Sequence, residues 1–425
     1  MNEARGTAWV VGTFDTKGEE LGYLCERIRA QGVPVISVDV STSGRACSGV
    51  QISAREVADH HPDGADAVFT GERGSAVSAM AEALVLLLRG RTDVGGVVGA
   101  GGSGAAALVA PALRSLPVGC PKLLVCTLAS GDVRAFVGSS DIFMLYPVVD
   151  ISGLNRISRQ VLANAAHAMA GMVRARLAPD ANALPCLGLS MFGVTTPCVQ
   201  GVTQALQGKF ECLVFHATGS GGQSLEKLAD DGHLAAMVDI TTTEIADLLC
   251  GGVLSAGEDR MGAAARRELP YVGSCGALDL INFWARATVP DSLADRPIHQ
   301  HNDNVTLVRT TPHDGERIGR WIAERLNRMP GDVRFLIPEG GVSALDAPGQ
   351  PFWWPQADAA LFDAIEHHTE QGPRRRVLRV PAHINDERFI SAVVAAVHEV
   401  TVQTGAPAAD RRAMEPGSGP TIPAK

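Results

Sequence analysis

Long apolar runs and an excess of positive charge are both missing from this sequence. No uninterrupted apolar stretch reaches the roughly 18 residues that a membrane-spanning helix needs, and no apolar segment follows a basic one at the N-terminus. Lysine and arginine total 37 against 46 aspartate and glutamate residues, so the formal net charge is −9. Because no overall positive field attracts nucleic acid or an anionic membrane, we expect a cytoplasmic protein that binds neither.

Cysteine pairs of the C-x-x-C type are also absent. The nine cysteines are odd in number and scattered along the chain. This distribution argues against a disulfide framework or a zinc ribbon, and it indicates that most of the thiols are small buried hydrophobic groups.

The sequence does contain short apolar strands that alternate with helical patterns, and small-residue turns follow the strands. With 425 residues, 46% of them hydrophobic, the chain is long enough for more than one core. The pattern predicts an α/β fold: two Rossmann-like domains whose mostly parallel sheets face a shared cleft. A break rich in Pro and Asn over residues 178–184 places the domains at residues 1–180 and 184–403. We expect the Pro-, Gly- and Ala-rich tail over residues 404–425 to be disordered.

Hydrophobic periodicity also predicts the bounds of individual elements. Among them are helices over residues 19–30, 105–113 and 225–231, a strand over residues 141–149, and a polar surface excursion over residues 47–71. These bounds decide which residues lie in the turns after strands, where ligands of open α/β sheets bind.

The glycine-rich stretch VVGAGGSGAAA, residues 97–107, has the pattern of a strand, a tight turn and a helix start. Glycines in the turn let a ligand approach the backbone, and the N–H groups of the first helical turn attract an anion such as phosphate. The dinucleotide fingerprint also needs an acidic residue about 20 positions later, but none occurs until Asp132. The pattern therefore favours phosphate binding over an NAD-dependent oxidoreductase. Close packing of a helix on a sheet is the alternative explanation for the glycines.

Two further turns in the first half carry polar residues after strands. The first contains Asp15, Thr16 and Lys17, where Lys17 would neutralise a phosphate and the other two would contact the ligand or simply cap a helix. Asp39 ends the second strand, where an acidic residue binds ribose hydroxyls in doubly wound folds, although such residues are also common turn formers. Together with a small-residue turn over residues 127–131, these turns are expected to face one crevice.

Titratable side chains concentrate at the strand ends of the second half. They are His216, Glu244, Asp279, His299, His301, Glu339 and His383. Such a concentration favours a functional cleft, and we take His216, Glu244, His299 and Glu339 as catalytic candidates without assigning a nucleophile or a base. Thr241 and Glu244 also have the spacing of a helix capping box. His299 and His301 have a spacing that suits a metal, but no third ligand follows, so we predict no metal site there.

A series of short motifs occurs in an order and spacing that resemble one known family. The motifs are GTFDTKGEEL, VDVSTS, GAGGSG, ASGD, MFGVTTPCV, VFHATGSGG, DITTTE, GALD, PEGGVSALDAPG and HIND. They extend from about Trp9 to Val400. On these residues the chain resembles the Tm-1-like ATP-binding family, also known as the uncharacterised UPF0261 family.

This resemblance implies that the N-terminal domain binds Mg-ATP and that the chain forms a homodimer. The positions that it assigns to the nucleotide are Thr13, Asp15, Lys17, Asp39, Ser41, Gly101, Gly102, Ser103, Gly104, Ser130 and Gly131. Two functions remain open. In one, the protein is an enzyme that uses ATP and holds a small carboxylate or acyl substrate in the second domain. In the other, it is a non-catalytic module whose regulatory or partner interactions depend on ATP.

Overall fold

Strands and helices alternate along both halves of the chain in the computed structural model, which describes residues 6–175, 180 and 182–402. The chain divides into two compact units, Met1–Asp180 and Ala181–Lys425. Part of the predicted linker and all of the predicted tail lie outside the described residues. Each unit is considered by itself, and the shared cleft stays a prediction.

The first unit contains five strands, all parallel, in its described part. Its elements in chain order are β1 (Thr7–Gly12), α1 (Phe14–Arg29), β2 (Val35–Asp39), α2 (Ala54–Ala58), α3 (Arg73–Arg89), β3 (Val94–Gly101), α4 (Ser103–Ser115), β4 (Lys122–Cys126), α5 (Arg134–Val137), β5 (Phe143–Leu145) and α6 (Arg156–Arg174). The strand order is β2-β1-β3-β4-β5.

Helices cover both faces of this sheet. Helices α1 and α6 pack together on one face, and α3 and α4 pack together on the other. The central strands are therefore buried on both sides; β4, for example, is buried at every position. Nearly continuous apolar runs rather than alternating ones are the expected sequence of such parallel strands.

The second unit has a larger parallel sheet and a small antiparallel one. Its elements are β6 (Cys186–Met191), α7 (Thr196–Leu206), β7 (Glu211–His216), α8 (Ser220–Asp230), β8 (Ala236–Thr241), α9 (Thr243–Cys250), α10 (Gly262–Arg266), β9 (Tyr271–Gly276), β10 (Leu280–Phe283), β11 (Ile298–Asn302), β12 (Val305–Arg309), α11 (Pro312–Asn327), β13 (Val333–Pro338), α12 (Pro355–His368), β14 (Arg375–Val380) and α13 (Glu387–Val402). The parallel order is β14-β13-β9-β8-β6-β7, and the antiparallel order is β10-β12-β11.

Both parallel sheets follow one winding scheme. When only the strands of each parallel sheet are counted in chain order, each sheet runs from one edge as second, first, third, fourth and fifth strand, and the sheet of the second unit adds a sixth. This is a doubly wound order with a switch point between the first and third strands. The structure thus confirms the predicted α/β class with mostly parallel sheets.

Several predicted element bounds are wrong. Helix α1 begins at Phe14 instead of residue 19, and α8 begins at Ser220 instead of residue 225. The predicted strand over residues 141–149 shrinks to the three residues of β5. The polar excursion contains a short helix, α2, whose Ser53 forms a capping box with Glu56. In each helix the first turn is polar or glycine-rich, so hydrophobic periodicity does not detect it. No helix of the described ranges is long and apolar enough to cross a membrane.

Candidate functional site

The switch point of the first unit lies between β1 and β3, whose following helices pack on opposite faces of the sheet. Adjacent loops diverge at such a point and leave a crevice outside the carboxyl ends of the strands. Helices α1 and α4 both direct their N-termini to this edge. Each could offer backbone N–H groups to an anion.

The N-terminus of α1 is already occupied by the protein's own groups. Phe14 N donates to Asp39 Oδ1 at 3.1 Å, and Asp15 N donates to Ser41 Oγ at 3.3 Å. The next two N–H groups, of Thr16 and Lys17, donate to the carbonyl of Thr13 at 3.2 and 2.8 Å. No orphan donor therefore remains in this first turn.

The N-terminus of α4 is open instead. Its N-cap residue, Gly102, makes no side-chain cap, and only the N–H of Ala106 returns to the Gly102 carbonyl. The N–H groups of Ser103, Gly104 and Ala105 find no acceptor among the residues that the structure describes. Three adjacent free donors at the positive end of a helix are the kind of group that can bind an anion.

The four glycines of this turn serve two different purposes. A Cβ on Gly99 would lie 3.1 Å from Leu124 and Val109 atoms, and one on Gly101 would lie 2.4 Å from the Ala105 Cβ. These two glycines allow α4 to pack closely on the sheet. A Cβ on Gly102 or Gly104 would have no neighbour nearer than 3.9 or 3.6 Å. These two leave open space over the free donors.

Two side chains lie beside these open positions: Thr127, which belongs to the predicted turn over residues 127–131, and Arg73, which the sequence did not indicate. An Arg73 guanidinium nitrogen is 3.6 Å from where a Cβ on Gly104 would stand, and Thr127 Oγ1 is 3.9 Å from the same position on Gly102. Arg73 forms no ion pair or hydrogen bond with any described residue. It lies about thirty positions before the glycine turn, and only the packing of α3 on α4 brings it there, so no local pattern points to it.

The other expected nucleotide residues have internal partners. Lys17, whose backbone leaves the helical region at φ −128°, donates through its ammonium to the carbonyl of Ile151. Asp39 is 1% exposed, and its Oδ1 also accepts from Ser41 N at 3.0 Å. Ser130 Oγ donates to Thr127 O at 3.4 Å, and Gly131 N donates to Leu128 O at 3.0 Å. Their roles in nucleotide binding stay predictions.

Asp15 is the carboxylate at this edge with a free oxygen. Its Oδ1 accepts from Ser41 Oγ at 2.8 Å, while its second oxygen has no partner within the described part of the chain. The described residues contain no group of three or more His, Cys, Asp or Glu side chains that could hold a metal ion. The single free oxygen of Asp15 nevertheless fits Mg²⁺, because this ion is commonly held by one or two carboxylates together with substrate phosphates.

The four catalytic candidates of the second unit lie in different surroundings. Within the described residues no hydrogen bond or ion pair joins any two of them. His216 is exposed, with its ring centroid 5.4 Å from that of Phe192, and His299 lies 6.4 Å from the rings of both His301 and Phe352. Glu339 faces Arg379 at 3.8 Å. Their catalytic roles stay predictions.

Glu244 is buried, and the predicted capping box with Thr241 is wrong. Helix α9 begins after Thr242 without a side-chain cap. The Glu244 carboxylate instead caps α8, because its Oε1 accepts from Gly219 N at 2.7 Å and Gly222 N at 3.0 Å. Its Oε2 accepts from Arg260 Nε at 2.9 Å. The Glu244 carboxylate therefore occupies the N-terminus of α8, the helix that follows β7.

Arg260 joins three buried carboxylates into one network. Besides Glu244 it donates to Asp239 at 2.6 and 2.7 Å and to Glu226 at 3.1 Å. Tyr271 Oη and Ser190 Oγ supply further hydrogen bonds to Asp239. Burial raises the pKa of Glu226 to about 7. All of these groups have partners, which is the arrangement that makes buried charge tolerable.

A second cluster of buried acids surrounds Arg309. Arg309 donates to Asp358 at 2.6 Å and lies 3.6 Å from Asp346 Oδ1, while Asp279 accepts from Ser343 Oγ at 2.7 Å. One oxygen each of Asp279 and Asp346 has no hydrogen bond. Against the opposing effect of Arg309, burial raises the pKa of Asp279 to about 7 and that of Asp358 to about 8. Asp279 thus holds the loop after β13 rather than facing solvent.

Two successive units with one doubly wound strand order define a tandem parallel α/β protein, with an open helix N-terminus at the first switch point. Residues 6–178 match the Uncharacterised protein family (UPF0261) N-terminal domain, and residues 184–401 match its C-terminal domain. The chain belongs to the UPF0261 family.

Relatives extend this match over most of the chain. A UPF0261 protein of Rhizobium meliloti is 53% identical over 393 residues, which cover 92% of this chain and 98% of the relative. One of Clostridium tetani is 40% identical and covers 90% and 96%. The ToMV resistance protein Tm-1(GCR237) of Solanum lycopersicum is 40% identical over 92% of this chain, which corresponds to 55% of the tomato protein.

Among solved structures, a Streptomyces sp. SF2575 glycosyltransferase complexed with thymidine diphosphate aligns with 63% of this chain and 81% of its own at 12% identity. The TM-score is 0.22, which supports no argument about function.

Proposed function

We propose that the first unit binds Mg-ATP at its switch point, with the phosphates on the N-terminus of α4. The three free N–H groups of residues 103–105 carry this proposal. No side chain crowds the two glycines of this turn, Gly102 and Gly104. The unpaired guanidinium of Arg73 supplies the positive charge that a triphosphate needs. In this site Asp15 would hold Mg²⁺ through its free oxygen. The metal would neutralise phosphate charge there.

The α1 N-terminus is a poor alternative for the phosphates. Its donors are bonded within the protein, and the neighbouring Asp15 and Asp39 carboxylates would repel an anion. The phosphates are therefore assigned to the N–H groups of residues 103–105, and the acidic residues lie on the metal and nucleoside side.

A substitution at the first residue of α4 tests this proposal without disturbing the helix. Ser103→Pro removes one of the three donors, and proline is well tolerated at the first helical position after an extended residue such as Gly102. Ser103→Ala is the matched control, since it removes only the hydroxyl. A charge-assisted hydrogen bond contributes about 1.5–3 kcal/mol, so calorimetry should show Mg-ATP binding weakened about tenfold to a hundredfold by proline and little changed by alanine. Equal affinities of all three proteins would contradict the proposal.

We also propose that the chain is a cytoplasmic homodimer. All nine cysteines are free thiols, as expected in a reducing compartment. Phe143, Tyr146 and Val148 are 61%, 42% and 64% exposed beside β5, an edge strand that a second copy could cover. Light scattering on the wild type and on Phe143→Glu tests the dimer.

The consequence of ATP binding stays a prediction with two alternatives. If a small carboxylate or acyl substrate occupies the second unit, such compounds should stimulate ATP turnover. If the protein is a non-catalytic regulatory module, ATP should bind without turnover. Phosphate-release assays across a set of small carboxylates distinguish the two.

A further inference from the structure

A pocket of about 520 Å³ lies beside α1 in the first unit. It is lined by Phe14, Asp15, Gly18, Gly22 and residues 45–49, and we name it the α1 pocket. Its volume falls within the range of about 300–1,000 Å³ that is typical of small-molecule sites. Apart from Asp15, none of these residues belongs to the nucleotide positions expected from the sequence.

Two glycines on the α1 side of the pocket have no packing role. Gly18 and Gly22 are four residues apart and so lie on the same face of the helix. A Cβ on either would meet nothing within 4 Å. A glycine inside a helix costs about 1 kcal/mol relative to alanine. Since no neighbour requires these glycines, their effect is to keep the space beside α1 empty.

The opposite wall is a loop shaped by glycine. Residues 45–49 follow Gly44 at φ 72° and end in Gly49 at φ 82°, a backbone region that disfavours other residues. Within the described residues the Arg45 guanidinium has no hydrogen bond or ion pair, although the side chain lines the pocket. Burial, with the adjacent Asp39 and Asp15 carboxylates, raises the pKa of Cys47 to about 11, so its thiol stays neutral. Apart from the Asp15 carboxylate at its edge, the pocket therefore offers a free cation and uncharged groups.

The position of the pocket relative to the sheet limits what can fill it. The α1 pocket lies near the ends of β1 and β2, whereas the free donors of α4 follow β3, and the strand order is β2-β1-β3. Neighbouring strands are about 4.8 Å apart, so along the edge of the sheet the ends of β1 and β2 lie roughly 5 and 10 Å from the end of β3. A single phosphate cannot reach both. An elongated molecule with an anionic end and a planar uncharged end can.

We propose that the α1 pocket holds the nucleoside half of the nucleotide whose phosphates bind α4. This inference rests on the proposed function and adds the part of the site that selects the ligand. The Phe14 ring supplies a surface for the base, the Arg45 guanidinium donates to ring nitrogen or carbonyl acceptors, and the Ser48 hydroxyl is available to the sugar. The glycines at positions 18 and 22 leave room for the base.

The test separates the nucleoside from the phosphates. Calorimetric titrations with Mg-ATP and with Mg-tripolyphosphate are performed on the wild type, Gly22→Leu and Arg45→Ala. Gly171→Leu is the matched control, because Gly171 is also a helical glycine of the first unit with nothing within 4 Å of its Cβ position. We expect Gly22→Leu to weaken Mg-ATP at least about tenfold by excluding the base, and Arg45→Ala to weaken it less. Tripolyphosphate binding should stay unchanged in all four proteins.

The outcomes distinguish this inference from the function on which it rests. If the wild type binds tripolyphosphate as tightly as ATP, or if Gly22→Leu binds ATP like Gly171→Leu, the pocket assignment is overturned and the phosphate site stands. If the wild type binds neither ligand, the proposed function fails and the pocket assignment fails with it. Should Gly22→Leu lose both ligands while Gly171→Leu keeps both, the pocket is also overturned as a nucleoside site, because the added side chain would then act on the phosphates.

Discussion

Single residues within the glycine-rich turn have roles that their letters alone do not distinguish. Gly99 and Gly101 allow close packing, whereas Gly102 and Gly104 leave the donors of α4 accessible. The sequence predicted a phosphate turn here and also its packing alternative; the geometry shows the packing role of Gly99 and Gly101, and the phosphate role of Gly102 and Gly104 stays a prediction. Arg73 could not be predicted, because only tertiary packing places it beside the turn.

Asp39 illustrates a residue whose position was predicted while its contacts were not. It ends β2 as expected, but its Oδ1 accepts from the backbone of both Phe14 and Ser41. A pattern of strand-end acids cannot show this, since the partner residue lies 25 positions away on the neighbouring strand's loop.

We expect Asp39→Ala to lower the free energy of unfolding by about 2 kcal/mol or more, since leaving a buried donor without an acceptor costs about 1–3 kcal/mol. Asp39→Asn retains an acceptor oxygen and should lose less. Urea denaturation of the three proteins measures the difference. If Asp39 also contacts the ribose, Asp39→Asn should change the ratio of ATP to dATP affinity, and an unchanged ratio would assign the residue to loop anchoring alone.

At the level of elements, the helix N-termini differ most from expectation. The Thr241–Glu244 spacing predicted a local cap for α9, but Glu244 reaches α8 instead, which lies in an earlier part of the chain. A capping pattern considers residues three positions apart, whereas this carboxylate is positioned by burial beside Arg260. Hydrophobic periodicity did not predict the antiparallel strand β10, because its four residues are too few to show a period.

Glu244 substitutions should reveal a structural charge. Glu244→Ala leaves Arg260 without one of its partners and uncaps α8, so we expect a loss of about 3–5 kcal/mol, the usual cost of breaking a buried pair. Glu244→Gln still offers an oxygen to Gly219 and should lose less. Thermal and urea unfolding compare the variants. Full stability of Glu244→Ala, combined with loss of a measured activity, would instead favour the catalytic role.

For the whole molecule, strand and helix alternation was sufficient to predict the fold class. Parallel strands covered on both faces are long apolar runs, and the connections between them must be helices, so the sequence contains both signals. The shared winding order of the two sheets was not predicted, because strand order depends on which face each helix covers. Nothing in a local pattern records that choice.

The stability of the whole molecule should decrease as pH rises from about 6 to 8.5. Burial raises the pKa values of Glu226, Asp247 and Asp279 to about 7 and that of Asp358 to about 8, compared with about 4 in an unfolded chain. The folded state then binds more protons than the unfolded state between about pH 4 and 8. Stabilisation from these groups is complete below the unfolded values and is lost as pH passes the folded ones.

Urea midpoints of the full chain at pH 6 and pH 8.5 measure this effect. Asp279→Asn is the control, because it keeps an acceptor for Ser343 Oγ while removing one buried charge. We expect a smaller decrease in midpoint for this variant. A midpoint in the wild type that does not fall between pH 6 and pH 8.5 would contradict this prediction, because carboxyls ionised in both states contribute no pH dependence.

The proposed phosphate site at the open end of α4 consists of main-chain donors, and this shapes how such a site can evolve. Every amino acid except proline carries the same N–H, so the exposed side chain at residue 103 is free to vary while the backbone donors persist, whereas the buried Ala105 must stay small. Selection would act on the volume of the side chains and the path of the backbone instead of on the chemical identity of the side chains. Distant homologues could then retain the binding site without sharing a single recognisable side chain within it.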